Sequence, residues 1–166
     1  MHAKRIEMKH LARELGISRA TAYRWAGSQE QLIGEVLASL VDETFERLLR
    51  RTTARGTERV LDVLERGMRA VHTFEPLRVF LASNPQLALK IVASKYGPVQ
   101  GRTIANIRRL LEEEIEHGHM VLPVEPAVMA YALTRIVESF LYADLISGVK
   151  PDLVNASRIL RLMLQC

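Results

Sequence analysis

Residues 7–25 read Glu-Met-Lys-His-Leu-Ala-Arg-Glu-Leu-Gly-Ile-Ser-Arg-Ala-Thr-Ala-Tyr-Arg-Trp. Their chemistry is that of polyanion recognition rather than bond making. Leu11 and Leu15 are four residues apart and share one helical face. Ala12 is small where a second helix must approach the first, and Gly16 suits the left-handed backbone of a tight turn. Ile17 plugs that turn into the core and Ser18 caps the next helix. The second helix opens Ser-Arg-Ala-Thr, short and polar enough to enter a major groove N-terminus first. Arg19, Ala20 and Thr21 then reach base edges. Ser18, Tyr23 and Arg24 suit phosphates, and Lys9 adds a cation to the same segment. The plainer alternative is an αα-hairpin with no nucleic-acid role.

Charge favours the first reading. Residues 1–28 hold six Lys and Arg against two Glu, a net +4, while the other 138 residues carry 17 basic and 17 acidic groups. A basic head on a neutral body is the pattern of a polyanion-binding segment attached to a separate core. The chain has 166 residues, 48% hydrophobic and 25% charged, enough for one or two small domains with a buried core. No apolar run approaches the roughly 20 residues that span a bilayer, so no membrane role is expected. The start has no apolar signal region, and Cys166 stands alone, so neither a disulfide within the chain nor a cysteine zinc cluster forms. A cytoplasmic location follows as the expectation.

Other chemically capable groups are weaker. Tyr131, Arg135, Glu138 and Tyr142 form a polar-aromatic stripe on an apolar helix. It reads either as a ligand-pocket wall or as an Arg135–Glu138 ion pair at a subunit interface. His117-Gly118-His119 reads as a solvated helix end rather than a metal site, since no third ligand is matched to it. Glu112, Glu113, Glu114 and Glu116, opposite Arg108 and Arg109, read as a solvated face. There is no GxSxG, phosphate-binding glycine loop or HExxH, so no enzyme and no cofactor are expected.

The elements that must position these groups are helices. Periodicity places them near 7–15, 18–25, 28–51, 57–73, 76–82, 85–95, 98–117, 125–147 and 151–164, with no sustained strand alternation. Ser28 and Gln31 make a capping-box pair, Thr57 is available as a cap, and Pro76, Pro85, Pro98, Pro126 and Pro151 suit first turns. Gly118 and Gly148 suit helix ends. Leu32, Val36, Leu40, Phe45 and Leu48 mark one long amphipathic helix, and Val60, Leu61, Leu64, Met68 and Val71 the next. These stripes predict an all-α bundle. The boundary falls at 1–27 for the helix-turn-helix and 28–166 for the body.

Leu11 to Trp25, followed by Ser28-Gln29-Glu30-Gln31-Leu32, resembles the DNA-binding region of TetR-family transcriptional regulators. Glu138-Ser139-Phe140-Leu141-Tyr142-Ala143-Asp144 and Pro151-Asp152 are similar to the QsdR-type branch of that family. The resemblance implies a homodimeric repressor with a helix-turn-helix, an antiparallel bundle of the TetR type, a four-helix interface made by the last two helices of each subunit, and a small-molecule pocket in the body. Three positions depart from the pattern. Only six residues precede Glu7, where the family carries a first helix, which predicts that Leu11, Ala12 and Leu15 lose their cover. Gln29 stands where a Lys is frequent, and Ala26 where an aromatic is common, with Trp25 beside it.

The residues add their own expectations for the body. An apolar cavity for a small effector is bounded by some of Met68, His72, Phe80, Leu87, Ile91, Tyr96, Ile107, Tyr131, Arg135 and Glu138. The competing expectation is a packed network of the Tyr131 and Tyr142 hydroxyls with Arg135 and Glu138. Val154, Ile159, Leu160, Leu162 and Met163 on the last helix, with Leu133, Ile136, Val137, Phe140 and Leu141 before it, supply a self-complementary dimer face. The expected function is binding of double-stranded operator DNA by a repressor that an effector releases. The alternative is a helical ligand-binding or interaction module that has lost DNA binding.

Overall fold

A computed structural model describes residues 12–14, 16, 18, 20, 21, 24 and 27–165. Among these residues there is no strand. Helical backbone at 12–14 and at 20, 21 and 24 precedes eight helices. They are α1 (Gln29–Leu49), α2 (Gly56–Thr73), α3 (Glu75–Ser83), α4 (Pro85–Val92), α5 (Pro98–Glu116), α6 (Pro126–Leu141), α7 (Ala143–Ile146) and α8 (Leu153–Leu164). The bundle is built on α5, which packs along α1 on one side and α6 on the other, while α8 closes against α2 and α6.

Two apolar clusters hold these helices together. Val60, Leu61, Ile107, Leu110, Leu111, Leu133 and Leu160 join α2, α5, α6 and α8, all at 1% exposure or less. Ala38, Leu77, Ile91, Val92, Val99, Leu141 and Tyr142 join α1 to α3, α4, α5 and the α6–α7 junction. Burial of a Val, Leu or Ile side chain contributes about 1.5–3 kcal/mol.

The helix ends follow local chemistry. Ser28 Oγ accepts from the Gln31 N–H at 3.1 Å, and Gln31 Oε1 accepts from the Ser28 N–H at 2.7 Å, completing the capping box. Gly27 has φ +64, a left-handed backbone that favours glycine, and a Cβ there would lie 1.9 Å from Gln31 Oε1 and displace the Gln31 arm of the box. The α1–α5 contact is close at Gly34, where a Cβ would meet Pro98 Cδ at 2.8 Å. Asp42 and Glu46 on α1 then pair with Arg102, Asn106 and Arg109 on α5.

Three expectations are corrected. Thr57 does not cap α2: the helix starts one residue earlier, and the Glu114 carboxylate accepts the Gly56 N–H in its place. Thr57 Oγ1 instead donates to the Leu164 carbonyl at 3.3 Å. Glu114 is therefore not part of a solvated face. It is 2% exposed and also accepts from Arg59 and contacts His119 Nδ1 at 3.2 Å. Its neighbours in the stripe, Ile107, Leu110 and Leu111, already put position 114 on the buried side. The helix foreseen over 125–147 breaks at Tyr142, whose φ and ψ of −108° and 23° leave the α region and turn the chain into α7.

Candidate functional site

Two regions bear on function. In the head, Gly16 has φ +65 and its N–H donates to the Arg13 carbonyl at 3.2 Å, which makes the turn. A Cβ at Gly16 would meet nothing within 4 Å, so the glycine is there for its backbone conformation and not for space. Ser18 Oγ accepts from the Thr21 N–H at 3.0 Å and lies 2.9 Å from Thr21 Oγ1. The cap sets the direction of the second helix and engages Thr21 in the same contact. Ser18, Ala20 and Arg24 are exposed and Thr21 is half-buried. Lys9, Arg19 and Tyr23 lie outside the described residues, as do Leu11, Leu15, Ile17, Trp25, Ala26 and Cys166. Ala12 is 2% exposed, contrary to the loss of cover expected from the short N-terminal segment.

In the body, a cavity of about 450 Å³ opens between α1 and α2 and runs inward to α5 and α6. Leu40 and Phe74, 37% and 39% exposed, flank its mouth. Phe45, Leu64, Met68, Val99, Ile107 and Val137 line the interior. Glu43 and Arg47 stand at the rim on α1, where Arg47 donates to Thr44 Oγ1 at 3.1 Å. Thr103 Oγ1 donates to the Val99 carbonyl at 2.9 Å, so this polar wall atom is already engaged. Gly67, in the middle of α2, leaves room beside Leu48.

The ten residues expected to bound a pocket separate. Met68 and Ile107 lie on this cavity. His72 lines a smaller one of about 170 Å³ with Arg78 and Asp144. Ile91 is buried in the second apolar cluster, where Phe80 and Leu87 pack against it. Tyr96 is 75% exposed, with Lys95 Nζ 5.2 Å from its ring centre, and Tyr131 is 55% exposed. The polar-aromatic stripe of α6 thus passes from the surface to the interior and is not one wall. Arg135 is partly exposed and donates to the buried Glu138, which also accepts from Gln100 Nε2 at 3.0 Å. Gln100 and Arg135 both reach the Ala93 carbonyl, at 3.0 and 3.4 Å. Burial pushes the Glu138 carboxyl up, against the hydrogen bonds from Gln100 and the Arg135 charge.

The residues missed from the pocket include Leu40, Phe45 and Gly67, while Tyr142 is the one member of the polar-aromatic stripe that lines it. An isolated glycine inside an amphipathic helix was the available sign for Gly67. Of the expected dimer face, Leu133, Leu141 and Leu160 are buried within the chain. Val128 and Tyr131 on α6, and Val154 and Leu162 on α8, are the exposed apolar side chains there. His117 and His119 stack with ring centres 5.8 Å apart, and among the described residues no three His, Cys, Asp or Glu side chains converge on a metal position. Among those residues no helix is long and apolar enough to cross a membrane.

A capped turn between helical segments leads straight into a cavity-bearing helical bundle. Residues 55–165 match the family described as "Tetracyclin repressor-like, C-terminal domain". The chain is similar to the R. erythropolis transcriptional repressor QsdR from the TetR family, with 30% identity and a TM-score of 0.88, over 96% of this chain and 84% of that one. It also aligns with the TetR-family transcriptional regulator PfmR from Thermus thermophilus, at 22% identity and a TM-score of 0.48, over 95% of this chain and 87% of that one. Comparison with curated protein sequences gives no significant match. The chain belongs to the TetR family of transcriptional regulators, DNA-binding helical proteins that are not enzymes.

Proposed function

We propose that this protein is a homodimeric repressor that binds double-stranded operator DNA through the helix-turn-helix of residues 1–27 and leaves it when a small effector fills the cavity of the body, 28–166. One observation carries the reading. The helix that forms the outer wall of the cavity, α1, begins at the Ser28 cap immediately after the head. An effector that presses on Leu40, Thr44 and Phe45 acts on the same rigid element that orients the recognition helix. Differential affinity of the effector for two placements of α1 is then sufficient to shift the DNA-binding equilibrium.

Lys9, Ser18, Arg19, Ala20, Thr21, Tyr23 and Arg24 make the DNA contacts in this reading, with Arg19 the strongest candidate for a guanine. Dimerisation uses the faces of α6 and α8 that carry Val128, Tyr131, Val154 and Leu162, all more than half exposed in the single chain. That pairing sets the distance between the two recognition helices. A regulator acting on DNA in this way works in the cytoplasm.

The test is a fluorescence-anisotropy titration of the full chain against DNA from its own promoter. Binding is expected to weaken steeply with salt, because Lys and Arg displace counterions from phosphates. Arg19→Ala is expected to cost about 1–3 kcal/mol at the specific site. Promoter binding that is unchanged by Arg19→Ala and Tyr23→Phe together removes the recognition-helix assignment. No binding at any salt concentration leaves a helical ligand-binding module in place of a repressor.

A further inference from the structure

We infer that the cavity takes a neutral, largely hydrocarbon molecule with one oxygen acceptor at its inner end, held by a hydrogen bond from Tyr142 Oη. The inference rests on the effector-released reading for the position of the site and adds the class of ligand to it. Tyr142 is 7% exposed and lines both this cavity and the smaller one beside His72, Arg78 and Asp144. It donates to no protein group among the described residues, and its hydroxyl is not among the sealed, unpartnered polar atoms, of which Thr52 Oγ1 is the example. An unpartnered hydroxyl that is buried yet reachable from a cavity awaits an acceptor from a ligand or a water.

The remaining polarity of the wall argues against an ionic ligand. Thr103 and Thr44 already have protein partners. No cation lines the interior: Arg47 sits at the rim, where Glu43 on the same helix offsets it. At the inner end the Glu138 carboxylate acts on the Tyr142 phenol, and it disfavours a second anion. Burial first, and Glu138 second, push the Tyr142 phenol up, so it remains a protonated donor at neutral pH. At about 30 Å³ per water-sized group, the cavity of about 450 Å³ holds on the order of ten to fifteen heavy atoms.

The experiment is displacement of N-phenyl-1-naphthylamine from the full chain by decan-2-one, sodium decanoate and decylammonium chloride at pH 7. The ketone is expected to displace the dye at concentrations at least tenfold below either ion. Tyr142→Phe is expected to weaken the ketone about three- to tenfold, the worth of one neutral hydrogen bond. Decanoate as potent as the ketone, and weakened by Arg47→Gln, overturns the inference in favour of an anion held at the rim. No displacement by any of the three probes, or ketone potency indifferent to Tyr142→Phe, overturns it as well. If Tyr142→Phe fails to fold, as judged by its melting curve, the ranking of the three probes on the wild type decides. Promoter DNA added in a parallel titration separates the two proposals. Tyr142-dependent ketone binding without DNA release keeps the ligand class and removes the effector reading.

Discussion

Glu114 and Glu138 lie near opposite ends of α5, both buried, and the protein treats them in opposite ways. Glu114, on α5 itself, accepts from Arg59 and the Gly56 N–H and contacts His119, and these partners hold its carboxyl down against the burial that opposes ionisation. Glu138 faces the start of α5 from α6. Gln100 and a partly exposed Arg135 are its partners, and burial wins, so its carboxyl is pushed up. The difference lies in the donors. A backbone N–H at a helix start and a half-sheltered guanidinium are preorganised, whereas a side-chain amide and a solvated guanidinium supply less. The Glu114 end is a closed joint between α2 and α5. The Glu138 end is adjacent to Tyr142 and the cavity.

The sharpest way to break this contrast is to remove the closed joint. Glu114→Ala leaves the Arg59 guanidinium only the partly exposed Glu113 carboxylate, 3.6 Å away, and leaves the α2 N-terminus without its acceptor. A loss of about 3–5 kcal/mol is expected in urea unfolding. Glu114→Gln should recover part of it, because an amide oxygen still accepts from Gly56. A loss below about 1 kcal/mol for the alanine variant, the scale of an exposed pair, means that the joint is not a stabilising feature.

The same truncation at the other end is expected to matter less. The Arg135 side chain is 45% exposed, so Glu138→Ala returns it to water, and Gln100 keeps the Ala93 carbonyl as an acceptor. After discounting the ion pair for solvent screening, the expected loss is about 1–2 kcal/mol, measured in the same urea series. A loss matching that of Glu114→Ala erases the distinction between a locked and a loosely held carboxylate.

The pH dependence of stability sharpens the comparison without removing either group. The folded value of Glu114 lies below its unfolded one, so its contribution is present above the unfolded value and is lost as pH falls through the folded one. The folded value of Glu138 lies above its unfolded one, so the folded state holds the proton longer, and stability declines as pH rises between the two. Wild type minus Glu114→Gln should therefore gain stability with pH below the ordinary glutamate range. Wild type minus Glu138→Gln should lose it above that range. Either slope is bounded by about 1.4 kcal/mol per pH unit for one proton. Equal signs in the two differences contradict the assignment.

Much of the scaffold was legible because helical periodicity and caps are local. The Ser28–Gln31 box, the prolines that open α3 to α6 and the stripes of α1 and α2 are all written within a few residues of where they act. Ser18 and Gly16 were legible for the same reason. The cavity was not, because a void is defined by side chains that fail to fill space between distant helices. Tyr131 and Tyr142 share a sequence stripe, yet the helix ends at Leu141, and Tyr131 is exposed while Tyr142 is buried. Glu114 was misread because four glutamates within five residues look solvated as a composition, whereas the helical register already assigned one of them to the interior.

The smallest change sharpens the contrast from the cavity side. Gly67 lies in the interior of α2 and lines the cavity, and a Cβ there would have Leu48 Cδ1 as its nearest neighbour at 3.8 Å, an ordinary contact. Gly67→Ala therefore adds a methyl without strain. Alanine in place of glycine in a helix interior is worth about 0.5–1 kcal/mol, so the melting temperature should rise. The same methyl occupies ligand space, so displacement of the naphthylamine dye by decan-2-one should need a severalfold higher concentration. A native protein whose cavity is an accidental packing defect would gain stability and lose nothing else. One whose cavity is the effector site gains stability and loses sensitivity together. Higher melting temperature with unaltered ketone binding would place the ligand elsewhere, with the smaller cavity beside His72 and Asp144 the next to test by His72→Leu.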